Sequence, residues 1–267
     1  MLIAIPSRDR WKNARDLYTV RYTSPKVMER ALWFVPEDQV DNYVVGLAGS
    51  VDAENIVACG ADGIAKTRKF IGEFAKSYNY DKFIMLDDDI RFYVRADTDR
   101  PNLVNAHNDD VDNCMNAVEL ALDTYAHVSV SAREGNNRAG AGRPNELYVE
   151  NTRTLRALAY RTEDFLGVEH GRVRVMEDFD VNLQLLGQGK KNCCLYWWAQ
   201  GQRQTGSPGG CSAYRSHEVQ EESARRLAEL HPGAVTLRQK ENKTGGEFGR
   251  RTEVTIQWKR KFAEATR

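Results

Sequence analysis

No charge of either sign prevails in this chain: 38 Lys and Arg stand against 38 Asp and Glu. That balance excludes the blanket positive field of a nucleic-acid coat protein, so contact with nucleic acid has to come from a local patch. Cysteine is scarce, at five residues, an odd number with no C-x-x-C spacing and with Cys193 and Cys194 adjacent. Neither a disulfide framework nor a zinc knuckle fits those positions, and a reducing cytoplasm is the simplest compartment. The five histidines form no H-x-x-H or H-x-x-x-H pair, which leaves no basis for a histidine-built zinc site. Absent too are G-x-x-x-x-G-K-[ST], a strand followed by G-x-G-x-x-G, and G-x-S-x-G, so P-loop, dinucleotide-binding and hydrolase-elbow readings lack support. No apolar run reaches the roughly 18 residues that span a bilayer, and Leu2 to Ile5 before Pro6 is far short of a signal-peptide core. Neither a membrane partner nor export is expected.

What remains is an ordinary globular composition, 41% hydrophobic and 28% charged over 267 residues, enough to bury a full core without disulfides or structural metal. Short apolar runs at Leu2 to Ile5, Ala31 to Val35 and Asn55 to Cys59, each closed by Pro or Gly, read as buried strands. Between Asp62 and Tyr78 the residues Ile64, Ile71, Phe74, Ala75 and Tyr78 share one helical face, with Asp62 placed as cap. Lys82 to Leu86 is the next strand and runs directly into Asp87-Asp88-Asp89, at the carboxyl end where open α/β sheets bind ligands. A helix from Val111 to Tyr125, capped by Asn108-Asp109-Asp110, precedes a strand from Val128 to Ala132. Arg133 to Asn145 lacks periodicity and is expected to be a long mobile loop over the site. Strands are expected at Leu155 to Tyr160, Arg172 to Met176 and Leu195 to Trp198, and helices at Met176 to Leu186 and Val219 to Leu230. The expected fold is α/β, a Rossmann-like mixed sheet flanked by helices in a single domain. Residues 1–200 form its core, and a polar, basic extension over 201–267 packs on it.

Three adjacent aspartates repel one another unless they are solvated, cap a helix or are neutralised by a cation. Along an extended backbone Asp87 and Asp89 point the same way and can share a divalent metal, while Asp88 faces elsewhere, toward a sugar hydroxyl. A solvated acidic turn is the plainer account. Glu177-Asp178 opens a helix, where carboxylates suit the macrodipole; equally, a second acidic centre can supply a general base. Ser7, Arg8 and Arg10 follow the first strand and Arg68 lies on the helix before the aspartates. The arginines are either surface residues or the cationic partners of a diphosphate. Backbone N–H groups around Gly209 and Gly210, just before Tyr214 and Arg215, are able to approach phosphates closely. His217 is the candidate third metal ligand, while His231 before Pro232 reads equally well as a structural helix end.

The order Pro6-Ser7-x-x-Arg10, Gly63-Ile64-x-x-Thr67-Arg68, Asp87-Asp88-Asp89 and Met176-Glu177-Asp178 resembles a GT-A glycosyltransferase over roughly residues 1 to 200. Within that fold family the chain is most similar to the TET/JBP-associated DNA 5-hydroxymethylpyrimidine glycosyltransferases of phages and some eukaryotes, with Gly209-Gly210-Cys211-Ser212-x-Tyr214-Arg215 and His231-Pro232-Gly233 adding to the likeness. The resemblance implies Mn²⁺ or Mg²⁺ held by Asp87 and Asp89 on the diphosphate of a donor such as UDP-glucose, with Asp178, next to Glu177, as the base of an inverting transfer. It implies DNA containing hydroxymethylated pyrimidines as the partner, and a host cytoplasm if the chain is phage-encoded. The neutral overall charge departs from what DNA requires. Two local patches compensate: Arg133, Arg138 and Arg143 in the loop, and the last thirty residues, where nine Lys or Arg, among them Arg250, Arg251, Lys259 and Lys261, face four Glu. Trp197, Trp198 and Tyr214 are available to stack on a flipped base, although core packing is the commoner fate of such residues. The alternatives are a Mg²⁺-dependent nucleotidyltransferase, which uses the same paired carboxylates, and a catalytically silent DNA-binding protein on the same scaffold.

Overall fold

A computed structural model describes residues 1–97, 102–140, 147–202, 216–241 and 250–267, with the side chains of 137–140 and 250 outside the description. Its strands are β1 Leu2–Pro6, β2 Ala31–Pro36, β3 Ile56–Cys59, β4 Lys82–Leu86, β5 Ile90–Arg95, β6 Leu103–Asn105, β7 His127–Ala132, β8 Tyr148–Glu150, β9 Ala157–Arg161, β10 Asn192–Gln202, β11 Val235–Glu241 and β12 Arg250–Ile256. The α-helices are α1 Tyr18–Tyr22, α2 Pro25–Arg30, α3 Val40–Leu47, α4 Ile64–Ser77, α5 Asn108–Ala121, α6 Arg133–Gly140, α7 Thr162–Leu166, α8 Glu177–Gly187, α9 His217–Leu230 and α10 Trp258–Ala265.

Ten strands form one mixed sheet in the order β3-β2-β1-β4-β9-β7-β10-β5-β6, with β8 on β10. The apolar runs read from the sequence make its parallel half, β3, β2, β1 and β4. They carry no polar alternation because both faces are covered. One core layer joins Ile3, Ile5, Trp33 and Val35 to Tyr43, Leu47, Met115 and Val118 of α3 and α5. The other sets Leu2, Ala4, Phe83 and Met85 against Ile71 and Ala75 of α4, Phe165 of α7 and Leu185 of α8. β9 then enters antiparallel between β4 and β7, and β5 returns antiparallel beside β10. The acidic turn is therefore at the point where the sheet stops being purely parallel.

A third apolar cluster binds the C-terminal residues to this body. Val175, Phe179 and Leu183 around α8 pack with Ala224 and Leu227 of α9 and with Val235 and Val254 of the β11–β12 hairpin. The polar, basic tail thus contains an antiparallel hairpin and a last helix, whose Phe179 contact is Trp258, edge-to-face at 5.6 Å.

Several local expectations change. Residues 133–140 are helical: Asn136 is fully buried and donates to Ser131 Oγ (2.7 Å) and the Tyr196 carbonyl (2.9 Å), which anchors the first part of the expected loop. Arg172 to Met176 is irregular: Arg172 bonds Asp180 of α8, the Val175 N–H bonds Ser223 of α9, and among the described residues no strand pairs with it. Gly63, at φ +85°, takes the cap position of α4 because Asp62 is drawn to Arg8 Nη1 at 2.5 Å. His107 takes the cap position of α5, where Asp110 accepts from its backbone N–H. Among the described residues no helix is long and apolar enough to cross a membrane.

Candidate active site

β4 ends at Leu86 and β5 begins at Ile90, so the three aspartates occupy a tight turn. That turn overrides the expected alternation along an extended backbone. Asp88 and Asp89 both meet the Arg10 guanidinium, the latter at 3.3 Å, whereas Asp87 faces Arg68 at 3.4 Å. Asp88 is also the acceptor for Ser7 Oγ at 2.5 Å, and Ser7 meets the Tyr43 hydroxyl at 2.8 Å. The end of β1 and the acidic turn are thereby tied together, with Asp88 turned inward at 6% exposure. Below the turn, fully buried Thr19 of α1 donates to the Asp87 carbonyl (2.7 Å) and accepts from the Ile90 N–H (3.0 Å). The Asp87 N–H donates to the carbonyl of Arg156, a residue held at φ +61°.

The second acidic centre is brought here by Arg68. Its guanidinium donates to Glu177 Oε1 at 2.5 Å, joining residues 109 positions apart, and also faces Asp87. Asp178 lines the same small hollow with Arg68, Tyr160, His170, Gly171 and Glu177. Met176, which precedes this pair, has φ +65°, a left-handed conformation uncommon for a side chain of its size. Among the described residues five non-glycine positions have positive φ; Asp9, Asn79 and Asn151 are of tolerant types, while Arg156 and Met176 are not, and both flank the site. Strain of this kind persists where the surrounding structure over-determines the backbone, and it clusters at active sites.

Charge compensation is incomplete. Burial, only partly offset by Arg68 and seconded by Asp89, pushes Asp87 up to about 6 although its side chain keeps 31% of its surface. Burial pushes Asp88 up to about 7 against the pull of Arg10, and Glu177 to about 7 against that of Arg68. Arg68 is raised as well, but as a cation it is thereby held charged: the acids around it outweigh the burial that would lower it. Two buried donors, Arg10 Nε and Arg68 Nε, have no hydrogen-bond partner among the described residues. Carboxylates short of positive charge, beside guanidinium donors short of acceptors, match a cation together with an anion. Among the described residues no three His, Cys, Asp or Glu side chains are arranged to hold a metal, and His217, first residue of α9, is not brought to Asp87 and Asp89 in such a group.

The other expected residues fall in three places. Arg8 pairs with Asp62 and Asp9 at the mouth of the β1 loop. Arg133 stacks on Tyr93 with 4.6 Å from its guanidinium carbon to the ring centre, and Arg251 is engaged by Glu253 at 2.6 Å. Lys259 and Lys261 are on α10, where Lys261 lies over Gly187 at the end of α8. Arg143, Gly209, Gly210, Tyr214 and Arg215 lie outside the described residues, as do the side chains of Arg138 and Arg250. Of the aromatic candidates, Trp198 packs against the main core cluster. Thr19, Tyr43 and Arg156 shape the site without having been singled out in the sequence. Only the short polar run after β1 hints at the first of them, and the partners described above lie 36 to 71 residues away.

The family model described as TET-Associated Glycosyltransferase matches residues 1–210. No curated protein matches the chain. Among solved structures, GalNAc-T7, crystallised with UDP, GalNAc and Mn²⁺, is similar at a TM-score of 0.52 and 10% identity, over 86% of this chain and 47% of that one. The chain thus spans about half the length of that protein. Residues 1–349 of S. aureus TarS in complex with UDP are similar at 0.47 and 13% identity, over 86% of this chain and 65% of that one. Glucosyl-3-phosphoglycerate synthase from Mycobacterium tuberculosis with Mg²⁺ and UDP is similar at 0.46 and 10% identity, over 96% and 87%. At 10% identity the likeness to GalNAc-T7 concerns the GT-A fold alone.

Proposed function

Because the chain belongs to the TET-associated glycosyltransferase family and is a glycosyltransferase of the GT-A fold, we propose that it transfers a sugar from a nucleoside diphosphate donor to the hydroxyl of a 5-hydroxymethylpyrimidine in DNA. The observation that carries this reading is the bridge made by Arg68 between Asp87 and Glu177. It sets a diphosphate-binding centre and a base-bearing helix start within one guanidinium's reach. Transfer needs both, one to take up charge on the leaving group and one to take a proton from the acceptor.

Asp87 and Asp89 would hold a divalent metal. Hard carboxylate oxygens suit Mn²⁺ or Mg²⁺, and such ions are commonly bound by one or two carboxylates with substrate phosphates completing the shell. A two-carboxylate site without a third protein ligand therefore fits. When bound, the ion supplies charge stabilisation for the departing diphosphate. The chain's own residues do the rest. Arg10 and Arg68 offer their unpartnered Nε–H groups to phosphate oxygens. The bond between Ser7 and Asp88 keeps the β1 loop against the turn, so that Arg10 stays in place. Asp178 accepts the acceptor's proton from the start of α8, and Arg68 on Glu177 keeps the neighbouring carboxylate from competing for it. A panel of nucleotide sugars, incubated with hydroxymethylcytosine and hydroxymethyluracil DNA and read by nucleoside mass spectrometry, tests the proposal. Sugar-bearing nucleosides that depend on Mn²⁺ or Mg²⁺ are expected. Transfer to a lipid or free sugar alone, or nucleotide transfer in place of sugar transfer, rules out the DNA acceptor.

A further inference from the structure

The strand that leaves the acidic turn carries an unusual surface. Burial alternates along β5: Ile90, Phe92 and Val94 face the core, which leaves Arg91 and Tyr93 together on the partly open face. The Arg91 guanidinium carbon lies 4.2 Å from the ring centre of Tyr22 and 5.8 Å from that of Tyr93. Arg133, at the start of α6, also lies over the Tyr93 ring, 4.6 Å from its centre. Tyr18 meets Tyr22 edge-on at 5.2 Å. The result is a continuous row of rings and guanidinium planes: Tyr18, Tyr22, Arg91, Tyr93, Arg133.

Three features indicate that the row is built. Gly201 of β10 pairs with Arg91, and a Cβ there would meet the Tyr93 ring at 3.1 Å and the aliphatic stem of Arg133 at 3.6 Å, so the bare backbone leaves room for both side chains. Thr19 fastens α1 to the aspartate turn, which fixes Tyr18 and Tyr22 relative to the site. Among the described residues no carboxylate is paired with Arg91 or Arg133, in a chain where acids equal bases. Their cationic edges are thus left for an outside anion.

We infer that the row Tyr22, Arg91, Tyr93 and Arg133 is the platform on which an unpaired strand of the acceptor DNA lies, its bases stacked on the rings and its phosphates met by the two arginines. The inference rests on the DNA reading above and names the surface that would serve it. Rings alternating with guanidinium planes are how single-stranded nucleic acid is held without regard to sequence, and a base drawn out of a duplex requires such a surface beside the site. A stacked arginine keeps its in-plane N–H groups for phosphate. A carbohydrate would also stack on the tyrosines, but two uncompensated cations favour a polyanion.

The test measures binding of fluorescent single-stranded and mismatch-containing oligonucleotides by anisotropy across a salt series. The proteins are the full chain, Y22L, Y93L, Y93F and R91Q, each checked for folding by thermal melting. Each leucine variant is expected to weaken single-strand binding about tenfold while Y93F stays within about twofold of wild type. R91Q is expected to flatten the salt slope by about one phosphate. Unchanged affinity in folded Y22L and Y93L overturns the platform, as does equal weakening by Y93F and Y93L, which would assign the effect to the hydroxyl bonded to Arg133. The two readings fail differently. Transfer onto DNA with unaltered binding by the variants removes the platform alone; single-strand binding lost in the variants, with no transfer onto any modified DNA, removes the acceptor assignment and leaves the platform.

Discussion

A carboxyl group with a higher pKa in the folded chain than in the unfolded one keeps a proton that the unfolded chain has released, so folding weakens as pH climbs between the two values. Asp88 and Glu177, at about 7, and Asp87, at about 6, place this window between roughly pH 4 and pH 7. His127 acts in the opposite sense, because burial holds it near 4, and its contribution is lost as pH falls below 6.5. From about pH 6.5 to 7.5 the carboxylates act alone. Metal-free protein is therefore expected to melt at lower temperature as pH rises through that interval, and Mn²⁺ is expected to raise the melting point more at the top of it than at the bottom, since the ion replaces protons. Melts in EDTA and in Mn²⁺ at three pH values check this, and a Mn²⁺ effect independent of pH counts against the aspartate turn as its site. Substitution separates the two centres. Asp89→Asn should abolish metal-stimulated transfer, whereas Asp178→Asn should lower kcat by on the order of 10² or more with little change in donor KM, the pattern of a lost proton acceptor. Steady-state kinetics on both variants decide it, and a matching rise in donor KM in Asp178→Asn makes that residue a binding group.

Helix α8 shows what an element adds to its residues. Its start was legible in the sequence, because acids at a helix N-terminus are favourable and apolar periodicity follows them. What holds that start was not. Asp180, 1% exposed, receives two bonds from Arg172 (2.6 and 2.9 Å) and one contact from His231 Nε2 (2.7 Å), 51 residues on, and no local pattern announces a partner so distant. The strands of the parallel half, β1 to β4, were legible for the converse reason, since covering both faces leaves a run of apolar residues that the eye can follow, whereas the partly polar β5, β6, β8, β11 and β12 were not read and the run from Arg172 to Met176 was read as a strand it does not form. Asp62 was misread as a cap because the competing arginine belongs to another loop. The clamp predicts that Asp180→Asn, which leaves Arg172 facing a neutral group, lowers stability by about 3 kcal/mol, the low end for a broken buried pair given that Arg172 is one-fifth exposed. Denaturant melts measure it, and a loss under about 0.5 kcal/mol shows that the clamp does not hold α8. Met176→Gly should relieve the left-handed backbone there at the cost of its buried side chain, so its effect on stability should be the smaller of the two.

At the scale of the molecule, zero net charge means that any grip on DNA is assembled from patches, and their contributions can be separated by salt. Lys259 and Lys261 on α10 were read as one patch, with Arg251 already engaged by Glu253. Lys259→Glu with Lys261→Glu should lower the slope of log affinity against log salt by about two if both meet phosphate, and a titration between 50 and 200 mM salt distinguishes that from no change. The molecule's plan also bears on descent. The family match covers residues 1–210, yet Asp180 inside it is held by His231 outside it. A relative that exchanged the residues beyond that match for another segment would keep Arg172 on Asp180 but lose the contact from His231. A catalytic body grafted onto a different tail would therefore have to supply a new hydrogen-bonding group where the His231 ring meets Asp180, or leave that buried carboxylate to Arg172 and Gln184 alone.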